Sequence, residues 1–408
     1  MSSPLMEWSY VPLQDVVGKI TSGGTPKAGA SDYYGGNIPF LKINDLTNSS
    51  RFIDSSSLNI TEKGLENSSA KIFPVGTVLT TMYGTIGVTR ILRKPMATNQ
   101  AIAAFLDLRG VTPEFLMQLI NFEAGKLASM ASQTTQANIS ATVLKEYLVD
   151  IPPLPEQKKI ASILTSVDEV IENTQKQIDK LQDLMKATMN ELLTKGIGHT
   201  EFKDSELGRI PKSWEVKSLS EVTLKIGDGI HSTPKYSHDG SFPFINGNNL
   251  VDGIIKLGKS TKFVDENEFN KQRTRLGDDT ILMSINGTIG NLAVYRGEDV
   301  VLGKSSAYLT FINDFELTFA YYLLSSDRVQ GYFEDELTGT TIRNLSLKTI
   351  RNTPIAVPPI SEQNAISNVI SSIDSSSNSI QQKLSQTQSL KKSLMQDLLT
   401  GKVRVTVN

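Results

Sequence analysis

The sequence predicts an α+β fold. Two strand-rich mixed modules are separated by two long α-helices that pair as an antiparallel coiled coil, the whole a pseudo-twofold internal duplication. Three observations predict this. An unusual junction is written twice, as IPPLPEQKKIASIL at residues 151–164 and as VPPISEQNAISNVI at residues 357–370. Its Glu156 and Glu362 stand 206 positions apart, and the same offset recurs along the chain, the mark of an internal repeat. After each junction, apolar residues step by four and three for several heptads.

The offset organises the chain. Trp8 and Leu13 match Trp214 and Leu219, Lys19-Ile20 matches Lys225-Ile226, and Met189 and Leu193 match Met395 and Leu399. Thr134, Thr135 and Asn138 match Thr340, Thr341 and Asn344. IPFLKINDL (38–46) against FPFINGNNL (242–250), and TMYGTIG (81–87) against SINGTIG (284–290), drift by a few positions, as small loop indels would cause. The expected organisation is a first module over residues 1–150, a helical region over 151–200, a second module over 201–356 and a C-terminal helical region over 357–408.

In each module, β-branched stretches broken by glycine predict short strands and turns. Residues 73–92 and 277–296 are such stretches, and Asn286-Gly287 in the second is a strong hairpin signal. Residues 112–131 and their counterpart 315–333 read as helix.

Each junction starts a helix. Proline at a first helical position is preorganised and loses no needed N–H, and Ser361 is an N-cap candidate. Gly196 and Gly401 stand at or near the ends, where a left-handed residue stops a helix. The first seam includes Ile160, Leu164, Val167, Ile171, Ile178 and Leu181; the second includes Ile366, Ile370, Ile373, Ile380 and Leu384. About 40 helical residues would span roughly 60 Å. A single helix cannot bury its own seam, so the two are expected to pair antiparallel; two independent surface helices are the plainer alternative. Ser377 and Lys391 interrupt the second seam, pointing to a stretch that is partly wet or partly used by another protein.

Bulk composition narrows the function. The 408 residues carry 39% hydrophobic and 21% charged residues, ordinary for a globular protein. No run approaches a membrane span, and the start MSSPLMEWSY has no signal-peptide pattern. With no cysteine there is no disulfide, thiolate catalyst or Cys-bound zinc, which fits a reducing cytoplasm. The net charge is −2; residues 1–150 carry 12 basic and 12 acidic groups, and residues 201–356 carry 18 and 21. Any basic surface must therefore be local.

No catalytic constellation stands out. His199, His231 and His238 lack metal-site spacing, GTIG is not followed by Gly-Lys-Ser/Thr, and no GxSxG elbow is present. What remains is a set of polar loops. In SGGTPK (22–27) and GDGIHSTPK (227–235), Thr25, Lys27, His231, Thr233 and Lys235 suit phosphate oxygens, with glycine allowing close backbone approach. In QTTQANIS (133–140) and TGTTIRNLS (338–346), Gln133, Thr134, Thr135, Asn138, Thr340, Thr341, Arg343 and Asn344 combine groups that read adenine, guanine or phosphate. The duplicated strand-end loops add Lys42, Tyr83, Thr85, Asn246, Asn248, Asn286 and Thr288 as DNA-binding candidates. Capping or ST-turn roles remain the structural alternative for the Thr-Thr-x-x-Asn pattern.

The order of these features, written twice, resembles the specificity subunit of a type I restriction–modification enzyme. The carriers are the opening Trp-x-x-x-x-Leu, the Gly-rich turn, the GTIG hairpin, the GTT or QTT…N(L/I)S loop, the PPxxEQ junction and the long helix. The connector KDSELGRIPKSWEVKSLSEV (203–222) is similar to the usual start of a second half. The resemblance covers essentially the whole chain. It implies two target recognition domains, each reading one half of a split double-stranded DNA sequence, with the helices as spacer. It further implies two docked adenine methyltransferase subunits that carry S-adenosylmethionine, and a motor-nuclease subunit that joins for cleavage. This chain would then be non-catalytic, with no cofactor or metal of its own. The other readings are a coiled-coil scaffold without DNA specificity and a self-contained DNA enzyme.

Overall fold

The structure, a computed structural model, describes residues 7–131, 137–338 and 343–406. The chain divides into two compact units, residues 1–177 with 380–408 and residues 178–379. The division falls inside both long helices, the central Leu154–Lys195 and the C-terminal Ile360–Leu399. Each unit therefore holds one strand-rich module and part of each helix.

In the first unit a five-stranded sheet runs in the order Val17–Ser22, Ile102–Leu108, Val78–Thr81, Thr89–Leu92, Phe52–Ile53. Strand Ile102–Leu108 starts with an unbroken apolar run, Ile102 to Phe105, because both faces are covered. A four-stranded sheet of Leu58–Ile60, Tyr34–Leu41, Met96–Thr98 and Lys71–Phe73 completes the module. Helix Pro113–Ser129 starts with proline behind a capping Thr112, whose hydroxyl accepts the Phe115 N–H. Phe115, Leu116, Leu119 and Ile120 enter one core with Ile160, Leu164, Leu398 and Leu399 of the long helices. Burying each such side chain contributes about 1.5–3 kcal/mol.

The second unit repeats this plan. Its main sheet runs Thr223–Asp228, Ser306–Phe311, Thr280–Ser284, Leu292–Val294. Phe105 faces Ile20 in one unit as Leu309 faces Ile226 in the other. Two local expectations are corrected. The counterpart of the first module's helix is broken at Ser326 into Leu317–Ser325 and Asp327–Asp335, because Ser326 turns extended and its hydroxyl caps the Val329 N–H. Asn286-Gly287 is not a two-residue turn: its hairpin strands end at Ser284 and resume at Leu292, so the pair lies in a longer connecting loop.

The long helices pair antiparallel within each unit. In the first, Glu156 meets Arg404 and Asp168 meets Lys391, so numbers rise along one helix as they fall along the other. In the second, Glu362 of the C-terminal helix meets Ile197 and His199 just past the end of the central helix. Ile160, Leu164, Ile178, Ile366, Ile370 and Leu384 are buried, and Val167, Ile171, Leu181, Ile373 and Ile380 are half-buried. The heptad thus marks the packed face throughout. Lys391 is not a wet interruption: its ammonium lies 2.7 Å from Asp168, which also accepts from Gln118. Ser361 is the second residue of its helix, which begins at Ile360, so it is not the N-cap. Gly196 and Gly401 both take positive φ at the helix ends, as expected.

The duplicated Glu-Gln is a pair of clamps. Gln157 donates to the carbonyls of Gly110 and Pro152 and accepts from Thr112 N–H, holding the start of the module's helix. Gln363 donates to Pro358 O and accepts from Glu316 N–H in the same way. Glu156 accepts from the Trp8 indole and from Arg404; Glu362 accepts from the Trp214 indole and from Ile197 N–H. Strand Ser9–Pro12 pairs with Leu148–Ile151, and Glu215–Ser218 with Pro354–Val357, which carries each tryptophan to its carboxylate. Burial pushes the Glu156 carboxyl up, but Arg404 and Trp8 outweigh it and hold it below the usual range.

Candidate functional site

Five segments meet along one edge of each module. In the first unit, Gly24 N–H donates to Thr98 O, and Asn99 N–H to Leu41 O. Met82 N–H donates to Ala101 O, Ile139 N–H to Met82 O, and Gly84 N–H to Ala137 O. Loops around residues 24, 41, 83 and 138 are thus tied to one hub, residues 98–101. In the second unit, Ile230 N–H donates to Leu302 O, Gly303 N–H to Ile245 O, Ile285 N–H to Ser305 O, and Leu345 N–H to Ile285 O. The hub there is residues 302–305. Polar backbone groups that would otherwise be buried unpaired are satisfied between loops, so each rim is one connected structure.

The rims gather many of the residues expected from sequence. Tyr83 bridges Asn138, and Asn286 bridges Asn344, which brings each GTIG loop onto its Thr-rich loop. Arg343 is exposed, and its carbonyl accepts from Gly287 N–H. The Thr25 hydroxyl donates to Gln100 at 2.6 Å. Asn246 accepts from Ser305 Oγ, and Asn286 donates to Lys304 O. His231 sits 2.8 Å from Asp228. Lys42 follows the hub-bound Leu41, and its backbone N–H is capped by Asp45. Lys27, Thr85, Asn248 and Thr288 are exposed on the same loops. Thr233 and Lys235 are exposed between Ile230, which bridges Gly303 of the hub, and Tyr236, which bridges Val264. Gln133, Thr134, Thr135, Thr340 and Thr341 lie outside the described residues.

Glycine in the first loops serves a different approach from the expected one. A Cβ on Gly23 would lie 1.9 Å from Thr98 O, and one on Gly229 2.2 Å from Leu302 O. The close contact is with the protein's own hub. The hubs were missed in the sequence, because ATNQA (97–101) and GKSS (303–306) share no motif. Short polar stretches between two buried strands were the available signal.

The described residues of the rims offer hydrogen-bond donors, acceptors and cations. Among the described residues, no cluster of His, Cys, Asp or Glu could hold a metal ion, and no helix is long and apolar enough to cross a membrane. A polar, exposed rim is thus built twice on one scaffold.

Comparison with known proteins specifies the class. The family description "Type I restriction modification DNA specificity domain" matches residues 6–183 and 211–388, and the chain belongs to that family. It is a DNA specificity subunit and not a catalyst; the methyl donor belongs to the methyltransferase subunit. The MjaIX specificity subunit of Methanocaldococcus jannaschii is 28% identical over 372 residues, covering 86% of this chain and 83% of that one. The MjaVIII specificity subunit of the same organism is 27% identical over 302 residues, covering 71% and 70%. The crystal structure of a type I S subunit from M. genitalium shares the fold with a TM-score of 0.60 at 16% identity, over 98% of this chain and 97% of that one.

Proposed function

We propose that each rim reads one half of a split double-stranded DNA target. The observation that carries this is the duplication of the rim: equivalent segments meet through equivalent hydrogen bonds, yet present different side chains. A shared scaffold with different tips suits two different half-sequences. The residues that would contact DNA are those described on the rims, with Arg343 a reader of guanine or a phosphate contact.

Two methyltransferase subunits are the partners that suit this duplication, with a motor-nuclease subunit joining for cleavage in the cytoplasm. Each unit carries a groove beside a long helix, lined at Gln182, Met185, Lys186 and Met189 in one, and at Gln388, Lys391, Lys392 and Met395 in the other, residues 206 positions apart. Leu184 and Leu390, also equivalent, are 49% and 54% exposed. Equivalent surfaces suit two copies of one partner.

Methylated adenines are mapped genome-wide with and without this chain, with the methyltransferase subunits present. A split motif that depends on the chain is expected. Arg343→Ala with Asn344→Ala should then weaken selection in one half by about tenfold and leave the other half intact. No dependence on the chain, with active partners, would favour a scaffold; equal loss in both halves would defeat the two-reader reading.

A further inference from the structure

The two hubs can be aligned atom for atom through their hydrogen bonds. Thr98 corresponds to Leu302, since their carbonyls accept from Gly24 and Ile230. Asn99 corresponds to Gly303, since their N–H groups donate to Leu41 and Ile245. Ala101 corresponds to Ser305, since their carbonyls accept from Met82 and Ile285. Gln100 and Lys304 are therefore the same position in two copies of one scaffold. Both are exposed, each between one buried and one half-buried residue.

Their chemistry differs. Gln100 Oε1 accepts from the Thr25 hydroxyl, which orients the amide plane. An amide oxygen has two lone pairs, so one remains, together with both N–H donors. That pattern matches the adjacent donor and acceptor of adenine in the major groove. Lys304 offers only donors, on a flexible stem, beside His231 on the neighbouring segment: Ile230 and Gly303, the residues before them, form a parallel bridge. Donors alone match the two acceptors of guanine. The rigid contacts below each side chain limit how either can be placed, which is what discrimination between bases requires.

We propose that this one hub position is a principal determinant of base preference in each half-site, with Gln100 selecting adenine in one half and Lys304 selecting guanine in the other. The proposal rests on the rims being the DNA-reading surfaces and goes beyond it by assigning the position and the base class.

The test uses the complete methyltransferase complex, with the motif read from methylated sites and from DNA selected out of a random duplex library. Gln100→Ala should relax an adenine position in one half by about tenfold or more, with the other half unchanged. Lys304→Ala should relax a guanine position in the opposite half. Gln100→Lys should shift the first position toward guanine. An unchanged motif in these variants, with the split motif still dependent on the chain, would overturn the hub assignment and leave the two-reader function standing. Loss of selection in both halves together would also overturn it, as a folding effect. If Gln100→Ala abolishes binding, Gln100→Glu decides: the carboxylate keeps the bond from Thr25 but loses the donors. Normal adenine preference in that variant would reduce Gln100 to a structural role, and lost preference with binding retained would support the reader.

Discussion

The two units differ where module meets helix. In the first, Arg51 holds Glu172 through two hydrogen bonds and lies 3.4 Å from Glu169, while Lys391 pairs with Asp168. Arg90 is set beside the same carboxylates. In the second, the matching helix positions are Asp374, Ser375 and Asn378, and Met185 stands where Lys391 does. Backbone bonds place Gly253 and Ala293 where Arg51 and Arg90 stand: Ile91 N–H donates to Arg51 O as Val294 N–H donates to Gly253 O. The three cations and two of the three carboxylates are absent together from the second unit, as expected where a partly buried charge without a partner is costly. One carboxylate is left over. Asp374 and Met185 both line the groove of about 440 Å³, and burial, then the neighbouring Asp252, pushes the Asp374 carboxyl up. The lesson is that one duplicated scaffold tolerates two electrostatic solutions, the second keeping one carboxylate without the cations of the first.

The largest expected effect breaks the first solution alone. Lys391→Met removes the ion pair from the largely buried Asp168, with Arg51 and Arg90 still near it, and should destabilise the first unit by about 2 kcal/mol. Native-state hydrogen exchange should show lost protection in strands Ile102–Leu108 and Val78–Thr81, with little change in the second unit. Adding Asp168→Asn should recover most of the loss; no recovery would mean that the lysine matters through packing of its stem.

Met185→Lys makes the opposite move. It supplies Asp374 with the cation its counterpart has, and should stabilise the second unit by about 1 kcal/mol. Lower protection would mean that the groove cannot accept the ammonium.

The smallest effect concerns Asp374 itself. Its folded-state affinity for a proton is raised, so the carboxylate opposes folding at neutral pH. That opposition is relieved as pH falls through the folded-state value, and is gone below the ordinary 3.8. Asp374→Asn should therefore stabilise the second unit slightly at pH 7, with a gain that fades on acidification. Glu156 has the reverse sign: its lowered value stabilises the first unit above the ordinary 4.5 and is lost as pH falls through the folded value. Denaturant midpoints followed from pH 7 downward should separate the two, and a pH-independent gain for Asp374→Asn would refute the assignment.

Much of the fold was legible in the residues because repeats and periodicities are local facts. The PPxxEQ junction marked both helix starts, and the four-three spacing of Ile160, Leu164, Ile366 and Ile370 marked the packed face. The site was legible in part. Thr25, Asn138, Asn246, Asn286 and Asn344 were named from their loops and do converge on the rims. Gln100 and Lys304 were not named, because each becomes central only when three distant segments hydrogen-bond to its neighbours.

By itself, the sequence determined that this protein is a duplication, where each module gives way to a helix, and which helical positions are apolar. Those properties follow from residue identity and spacing along one chain. The tertiary structure decided that Lys391 is paired, that Glu156 and Glu362 clamp the segment beyond the other helix, and which loop residues share a rim. Each of these depends on a partner more than a hundred residues away, or on the satisfaction of buried polar groups by whatever backbone the fold brings near. No local pattern encodes such a pairing, so it becomes visible only when the chain has closed on itself.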